Sequence, residues 1–145
     1  MVDQLLSYAT LLSVGLMSAK EYNKVLDELF LDMPEDPLLL DLEFVSSDIN
    51  KTVSIIQRYC AEHPVNYDIF GRYIINGLKE AYYNYGIDIK GFALKAYALW
   101  GALPSVIALN EPFRTLSYAD DPLSWCDEKQ TRELYEEMFR FYDKK

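Results

Sequence analysis

Residues 66–86 decide the fold class, and they read NYDIFGRYIINGLKEAYYNYG. Asn66 is a residue type that caps helix N-termini, and Gly86 is the type that commonly follows a helix C-terminus. Between them apolar side chains recur every three or four positions, which is the spacing of one face of an α-helix. The stretch therefore predicts a long helix with a buried row formed by Phe70, Tyr73, Ile74, Leu78, Ala81 and Tyr85.

Helix-starting signals recur on both sides of this stretch. Ser, Asp and Asn side chains accept hydrogen bonds from the free backbone N–H groups of a first helical turn, so they mark helix starts. Glu21 and Gln130 each stand three residues after a cap residue, which is the spacing of a capping box. Gly15 follows a first apolar helix within residues 3–14. The further helix starts are predicted at Ser18, Asp36, Asp48, Asp88 and Asp127.

The third predicted helix is apolar on more than one side. It begins at Asp36 and Pro37, a cap followed by the residue type best suited to the first helical position. A helix that is apolar all round is normally buried, so we expect this one to be sandwiched between other helices. Its apolar residues are Leu38, Leu39, Leu40, Leu42 and Phe44.

Residues 103–127 lack helical periodicity. Residues 105–109 fit either one helical turn or a short extended piece, and helical spacing resumes only after Asp127. A long irregular segment in a compact domain is usually functional, and binding residues are often carried on such segments. We predict an irregular connection over residues 103–127, with Phe113 packed inward.

Together these patterns predict an all-α fold. A length of 145 residues is typical of one domain. Short links between helices place consecutive helices antiparallel. The prediction is a compact single-domain bundle of six or seven short helices over residues 1–145, with one long irregular connection before the last helix.

The chain is strongly acidic, with a formal net charge of −9. Residues 27–48 contain eight Asp or Glu residues and no Lys or Arg, so this stretch alone carries −8. Contacts to nucleic-acid phosphates need clustered Lys and Arg, which are scattered here. The charge can simply form a solvated acidic face that keeps the protein soluble. Where it serves binding, it predicts a basic protein partner and no nucleic acid.

The sequence also predicts no membrane partner and a cytoplasmic location. The apolar run 5–17 is interrupted by polar residues and is shorter than the roughly 20 residues that a membrane span needs. No basic residue precedes this run, as one would in a secretory signal. Cys60 and Cys126 do not form a disulfide framework, so both are expected as free thiols.

The carboxylates of residues 120–128 are the strongest candidates for catalysis or metal binding. Asp120 and Asp121 precede Pro122 as turn formers, and Asp127 is a helix cap. Neither a calcium-loop spacing nor a phosphate-binding glycine loop is present, and His63 is expected to cap a helix end. We therefore predict no cofactor, no metal and no enzymatic activity.

Two alternatives stay open. A small carboxylate- or metal-dependent hydrolase requires the side chains of residues 120–128 to converge on one point. A homodimeric structural module is the other alternative, because helical bundles host many unrelated functions.

Aromatic residues beside carboxylates are typical of protein-binding hot spots, since the ring supplies buried area and the charges steer the partner. Two stretches of this sequence have that composition. The predicted partner-binding residues are Tyr118, Asp120, Asp121 and Trp125 in the connection, and Glu35, Asp36, Asp41 and Glu43 in the acidic stretch.

Three segments carry a resemblance to known proteins. They read GLMSAKEY at 15–22, EPF at 111–113 and YADDPLSW at 118–125. With them the chain resembles small acidic helical bacterial proteins, which are similar in size and charge to immunity proteins of bacterial toxin systems. The resemblance implies a non-enzymatic, immunity-type inhibitor that neutralises a basic toxin, and it supplies no catalytic residues.

Overall fold

The structure is a computed structural model that describes residues 2–144. Over these residues the chain is all-α, as predicted, and contains no β-strand. Among its helices none combines the length and the apolar character that a membrane crossing requires. The helices are α1 (Val2–Ser13), α2 (Ala19–Asp32), α3 (Pro37–Phe44), α4 (Ile49–Glu62), α5 (Tyr67–Asn84), α6 (Ile89–Ala102), α7 (Ser105–Ala108) and α8 (Glu128–Phe139), with 3₁₀ helices at Phe113–Ser117, Asp121–Trp125 and Tyr142–Lys144.

Side-chain caps confirm the predicted helix starts. In each case the cap oxygen accepts a hydrogen bond from a backbone N–H in the first helical turn, an interaction worth about 1 kcal/mol. The donor and cap pairs are Glu21 and Ser18, Leu38 and Asp36, Lys51 and Asp48, Ile69 and Asn66, Gly91 and Asp88, and Gln130 and Asp127, at 2.9–3.2 Å. Gly15 and Gly86 follow helix ends with positive φ angles of 80° and 66°, as the sequence predicts.

Two compact units divide the described chain, one up to Ile74 and one from Ile75, so that α5 begins in the first and ends in the second. In the first unit α1 contacts α2 and α4, while α3 contacts both α2 and α4. Asp3 ties the start of α5 to α1, because its Oδ1 accepts from the Asn66 N–H at 2.7 Å. The prediction of a single domain over residues 1–145 stays a prediction.

The second unit is built around an aromatic cluster on α5, α6 and α8, defined here as Tyr82, Phe92, Tyr135 and Phe139. The Phe92 ring centroid lies 5.2 Å from that of Tyr82 and 4.9 Å from that of Tyr135, both edge to face. Such pairs add stability beyond the apolar area that they bury. The two longer 3₁₀ helices pack against α8, and the first of them also packs against α6.

The connection over residues 103–127 is more ordered than predicted. Its 105–109 segment is the helical turn α7, and two 3₁₀ helices follow. Residues 2–144 therefore contain eight α-helices where six or seven are predicted. A 3₁₀ helix has three residues per turn and is short, so it leaves no 3.6-residue periodicity in the sequence.

Candidate functional site

The predicted partner-binding residues fall in different units of the structure, so they are described as two surfaces. One surface lies on and just before α3, and the other lies on and between the two longer 3₁₀ helices. Glu35, Asp36, Asp41 and Glu43 belong to the first unit, and Tyr118, Asp120, Asp121 and Trp125 belong to the second.

Helix α3 is fixed at its start by Asp36. One oxygen of this carboxylate accepts from the backbone N–H groups of Leu38 and Leu39, at 2.9 and 3.4 Å. Pro37 occupies the first helical turn, where its missing N–H is not needed. The Asp36 carboxylate is therefore partly used in stabilising the start of α3. Glu35 and Asp41, by contrast, are both exposed to solvent.

The outer side of α3 carries exposed apolar residues, which corrects the prediction that this helix is sandwiched. Leu38, Leu39 and Leu42 are buried, but Leu40 is 47% exposed and Phe44 is 92% exposed. Leu40 and Phe44 stand four residues apart and therefore neighbour each other on the helix surface. The angle of 100° per residue places both on the side opposite the three buried leucines, so helical spacing groups them but does not tell which side of the helix is covered. Below, the acidic α3 surface means Glu35, Leu40, Asp41, Glu43 and Phe44.

Glu43 is held against Asp27 of the neighbouring helix α2. Burial raises the pKa of its carboxyl, and a hydrogen bond with Asp27 and repulsion from that carboxylate raise it further, to about 7. Near neutral pH Glu43 is therefore divided between its charged and its neutral form. The acidic α3 surface then has less negative charge than its formal count.

We expect Glu43→Gln to stabilise the protein at high pH. A carboxyl with a raised folded pKa keeps a proton that the unfolded chain has released, so its ionisation lowers stability as the pH rises from about 4.3 to about 7. Solvent screening of this half-buried side chain limits the loss to about 1 kcal/mol. Urea denaturation of wild type and variant across this pH range measures the effect.

Between those pH values the stability of the Glu43→Gln variant should fall less than that of the wild type. Glu35→Gln makes the same exchange at an exposed position and serves as the control. Equal pH profiles for the two variants would contradict the prediction.

A cleft of about 460 Å³ lies between α3 and α4 and shares Asp41 with the acidic α3 surface. The α4 side of the cleft is lined by Arg58, Tyr59 and Glu62, and by His63 at the end of the helix. Small-molecule sites typically occupy about 300–1,000 Å³, so the cleft has room for a small ligand or for a side chain of a partner.

His63 caps the end of α4, as predicted. Its Nδ1 donates to the carbonyl oxygen of Tyr59 at 2.9 Å, since a carbonyl can only accept. The imidazole also stacks on the Tyr59 ring, with centroids 3.9 Å apart and planes 12° from parallel. These two contacts fix the orientation of the ring at the rim of the cleft.

The second surface is formed by the connection. Phe113 is buried, as predicted, whereas Tyr118 and Trp125 are exposed. Asp120 is half-buried, and its Oδ1 is enclosed without a hydrogen-bond partner among residues 2–144. Burial, followed by the charge of Asp120, raises the pKa of the Tyr135 hydroxyl. Asp120 is therefore turned toward the interior of its unit, and Asp121 remains exposed.

We expect Tyr135→Phe to change the free energy of unfolding by less than about 1 kcal/mol, because the buried Tyr135 hydroxyl makes no hydrogen bond within the described residues. Tyr82→Phe is the matched comparison. Its hydroxyl donates to Glu136 at 2.9 Å and accepts from Arg132 at 3.2 Å, so its loss should cost about 1–3 kcal/mol. Chemical denaturation measures both values. A larger loss for Tyr135→Phe than for Tyr82→Phe would contradict the prediction.

Two of the four carboxylates of residues 120–128 have partners close by in the chain. Asp127 caps α8 through the Gln130 N–H at 3.0 Å, and Glu128 pairs with Arg132 at 2.9 Å. In the part of the chain that the structure describes, no three His, Cys, Asp or Glu side chains are grouped as a metal site. The hydrolase alternative, which requires these carboxylates to converge on one point, stays a prediction.

The two cysteines are both free thiols and differ in exposure. Burial, and then the nearby charge of Asp3, raise the pKa of the half-buried Cys60 to about 11. At neutral pH this thiol stays protonated and is a poor nucleophile. Cys126 is exposed and has a left-handed backbone conformation, with φ 62°.

Comparison with known proteins finds no relative of this chain. No protein-family model, no curated protein and no solved structure matches the chain.

Proposed function

We propose that the protein is a non-enzymatic binding module whose acidic α3 surface holds a basic protein partner. In its most concrete form it is an immunity-type inhibitor that neutralises a basic toxin domain. The observation that carries the proposal is Phe44, which is 92% exposed beside Leu40 on the same side of a helix with carboxylates around it. An exposed ring in an acidic setting is of little use to the isolated fold, and it is typical of a binding anchor.

Charge and apolar area have separate roles in this proposal. The negative charge of residues 27–48 accelerates encounter with a basic surface, and this contribution weakens as salt screens it. Burial of Phe44 and Leu40 in an apolar pocket of the partner slows dissociation. A partner with a basic rim around an apolar pocket fits both features.

The α3 surface supports the proposal better than the connection does. Asp120 is turned inward, and Asp127 caps α8, so the connection offers fewer free charges than its sequence contains. Asp121, Tyr118 and Trp125 remain exposed there. Trp125→Ala distinguishes the two surfaces, since the proposal expects this variant to keep the partner.

Affinity capture from the source cells tests the proposal. Immobilised wild type should retain a basic polypeptide, and its release should increase with salt. Glu35→Lys combined with Asp41→Lys should lose it, because both side chains are exposed and their reversal repels a basic surface. Lys20→Glu with Lys24→Glu also changes two exposed charges, but on α2 and toward the acidic side, and should retain the partner.

A retained partner should also be toxic when expressed alone and harmless when this protein is co-expressed. Capture of no basic polypeptide, or unchanged capture by the double lysine variant, would overturn the proposal. Binding without protection from toxicity would leave a binding module and remove the inhibitor.

A further inference from the structure

Helix α6 carries an apolar face on its outer side as well as on its inner side. Leu94 is 76% exposed and Tyr97 is 49% exposed, while Phe92 and Leu99 on the opposite side are buried. At 100° per residue the exposed positions lie within one side of the helix. We call them the outer α6 face, which consists of Lys90, Leu94, Tyr97, Ala98, Gly101 and Ala102.

A helix that is apolar on all sides is normally enclosed by other elements. The hydrogen bond from Trp100 Nε1 to the Ala108 carbonyl, at 2.9 Å, joins α7 to the inner edge of α6. It does not cover the outer α6 face, which stays exposed within the described chain. Two further apolar side chains are exposed nearby in the chain, Val106 on α7 and Leu109 directly after it.

The charge of this region separates it from the acidic α3 surface. Residues 89–110 contain no Asp or Glu, and their only charges are Lys90 and Lys95, in a chain of net charge −9. A basic partner finds no carboxylate to pair with here. An anionic lipid surface would attract the two lysines but repel the chain as a whole, and a second copy with the same net charge of −9 is repelled as well, which keeps any dimer weak. A second copy meets no carboxylate on this face, so close approach of two outer α6 faces brings no acidic groups together.

The ends of α6 are complementary to each other. Lys90 lies in the first turn, where the helix dipole disfavours a cation, and the last turn has no basic residue to compensate the negative end. In an antiparallel pair each Lys90 lies beside the carboxyl end of the other copy's α6. The 14 residues of α6 span about 21 Å, so the two lysines stay farther apart than a Debye length of about 8 Å.

Small residues on the same side permit close approach. Ala98, Gly101 and Ala102 leave the α6 backbone accessible, and helix axes approach more closely where side chains are small. A Cβ added at Gly101 would meet no atom within 4 Å, so the chain itself does not require glycine there. Glycine in a helix costs about 1 kcal/mol relative to alanine. A second helix packed closely on the outer α6 face would explain why position 101 has no side chain.

We propose that the outer α6 face pairs with the same face of a second copy, as an antiparallel and two-fold symmetric dimer. Such a contact uses one patch of each copy, as isologous dimers do. One pair of 14-residue helices buries less than the standard interface of about 1,600 Å², so the dimer is weak and exchanges with monomer. This inference does not depend on the acidic α3 surface, which belongs to the other unit.

Sedimentation velocity of the full chain, from micromolar to millimolar concentration, tests the dimer. The wild-type mass should rise from 16.9 kDa toward twice that value. Ala98→Glu places a carboxylate near the two-fold axis opposite its own copy and should weaken association at least about tenfold. Ala61→Glu, the same exchange at an exposed position of α4, has the same net charge and should associate as the wild type does.

Gly101→Leu provides a second variant that does not depend on charge. It should keep or raise the thermal midpoint, since leucine favours helix and a Cβ at this exposed position meets no atom within 4 Å, yet the larger side chain should hold the two helices apart and weaken the dimer. Circular dichroism confirms that each variant is folded. A wild type that stays monomeric at all concentrations overturns the proposal, as does association that Ala98→Glu leaves unchanged. Monomeric protein that co-sediments with phosphatidylcholine vesicles would assign the face to lipid instead.

Discussion

Replacing Phe92 with alanine is expected to lower the free energy of unfolding by about 3–5 kcal/mol. Phe92 is almost fully buried, and its ring contacts Tyr82 and Tyr135 in the aromatic cluster of the second unit. Truncation removes the buried apolar area and both ring contacts, and it leaves a cavity that large neighbouring rings cannot fill without leaving their rotamers. The loss is a large part of the roughly 5–15 kcal/mol that holds a typical domain folded.

Urea denaturation followed by tryptophan fluorescence measures this loss, because both tryptophans, Trp100 and Trp125, belong to the second unit. Leu94→Ala is the control. It removes an exposed apolar side chain from the same helix and should change stability by less than about 0.5 kcal/mol in dilute solution. A loss below about 1 kcal/mol for Phe92→Ala would show that the cluster does not hold the second unit together.

Replacing Phe44 with alanine is expected to weaken partner binding by about 2 kcal/mol or more, which is about 30-fold in Kd. The ring is the most exposed apolar side chain of the acidic α3 surface, so a partner that buries it gains more apolar area than from any neighbouring residue there. The same change should leave the thermal midpoint unaltered, since almost none of the ring packs on the protein. Calorimetric titration with the captured basic partner measures the affinity.

Leu109→Ala supplies the matched control for this measurement. It also truncates an exposed apolar side chain, but in the second unit, and should leave the Kd unchanged. If Phe44→Ala binds as tightly as the wild type, the acidic α3 surface is not the contact. If Phe44→Ala lowers the thermal midpoint by several degrees, the ring has a structural role that its exposure conceals.

Local chemistry made most helix starts predictable. A cap such as Asp48 or Asp88 acts within three residues, so the sequence contains both the acceptor and the N–H groups that it satisfies. The same holds for His63, which reaches the carbonyl four residues before it. Interactions of this range do not depend on how distant parts of the chain pack.

In the connection over residues 103–127, short-range sequence patterns did not predict the structure. Its 3₁₀ helices leave no 3.6-residue periodicity in the sequence, and Asp120 was predicted as a partner contact because it is a carboxylate beside aromatic residues. Contact with α8 places it near Tyr135 instead. Which of Asp120 and Asp121 faces solvent depends on packing against α8, a helix that begins after both of them.

The sequence by itself determined the all-α class, the helix starts and the acidic charge, because capping, periodicity and net charge depend on residues close together in the chain or on composition alone. Only the tertiary structure decided which apolar side chains remain outside. Leu40 and Phe44 on α3 are apolar or aromatic residues, as their buried neighbours are. The same is true of Leu94 and Tyr97 on α6. Whether such a side chain is covered depends on which helix packs against it, and contacts between distant segments decide that.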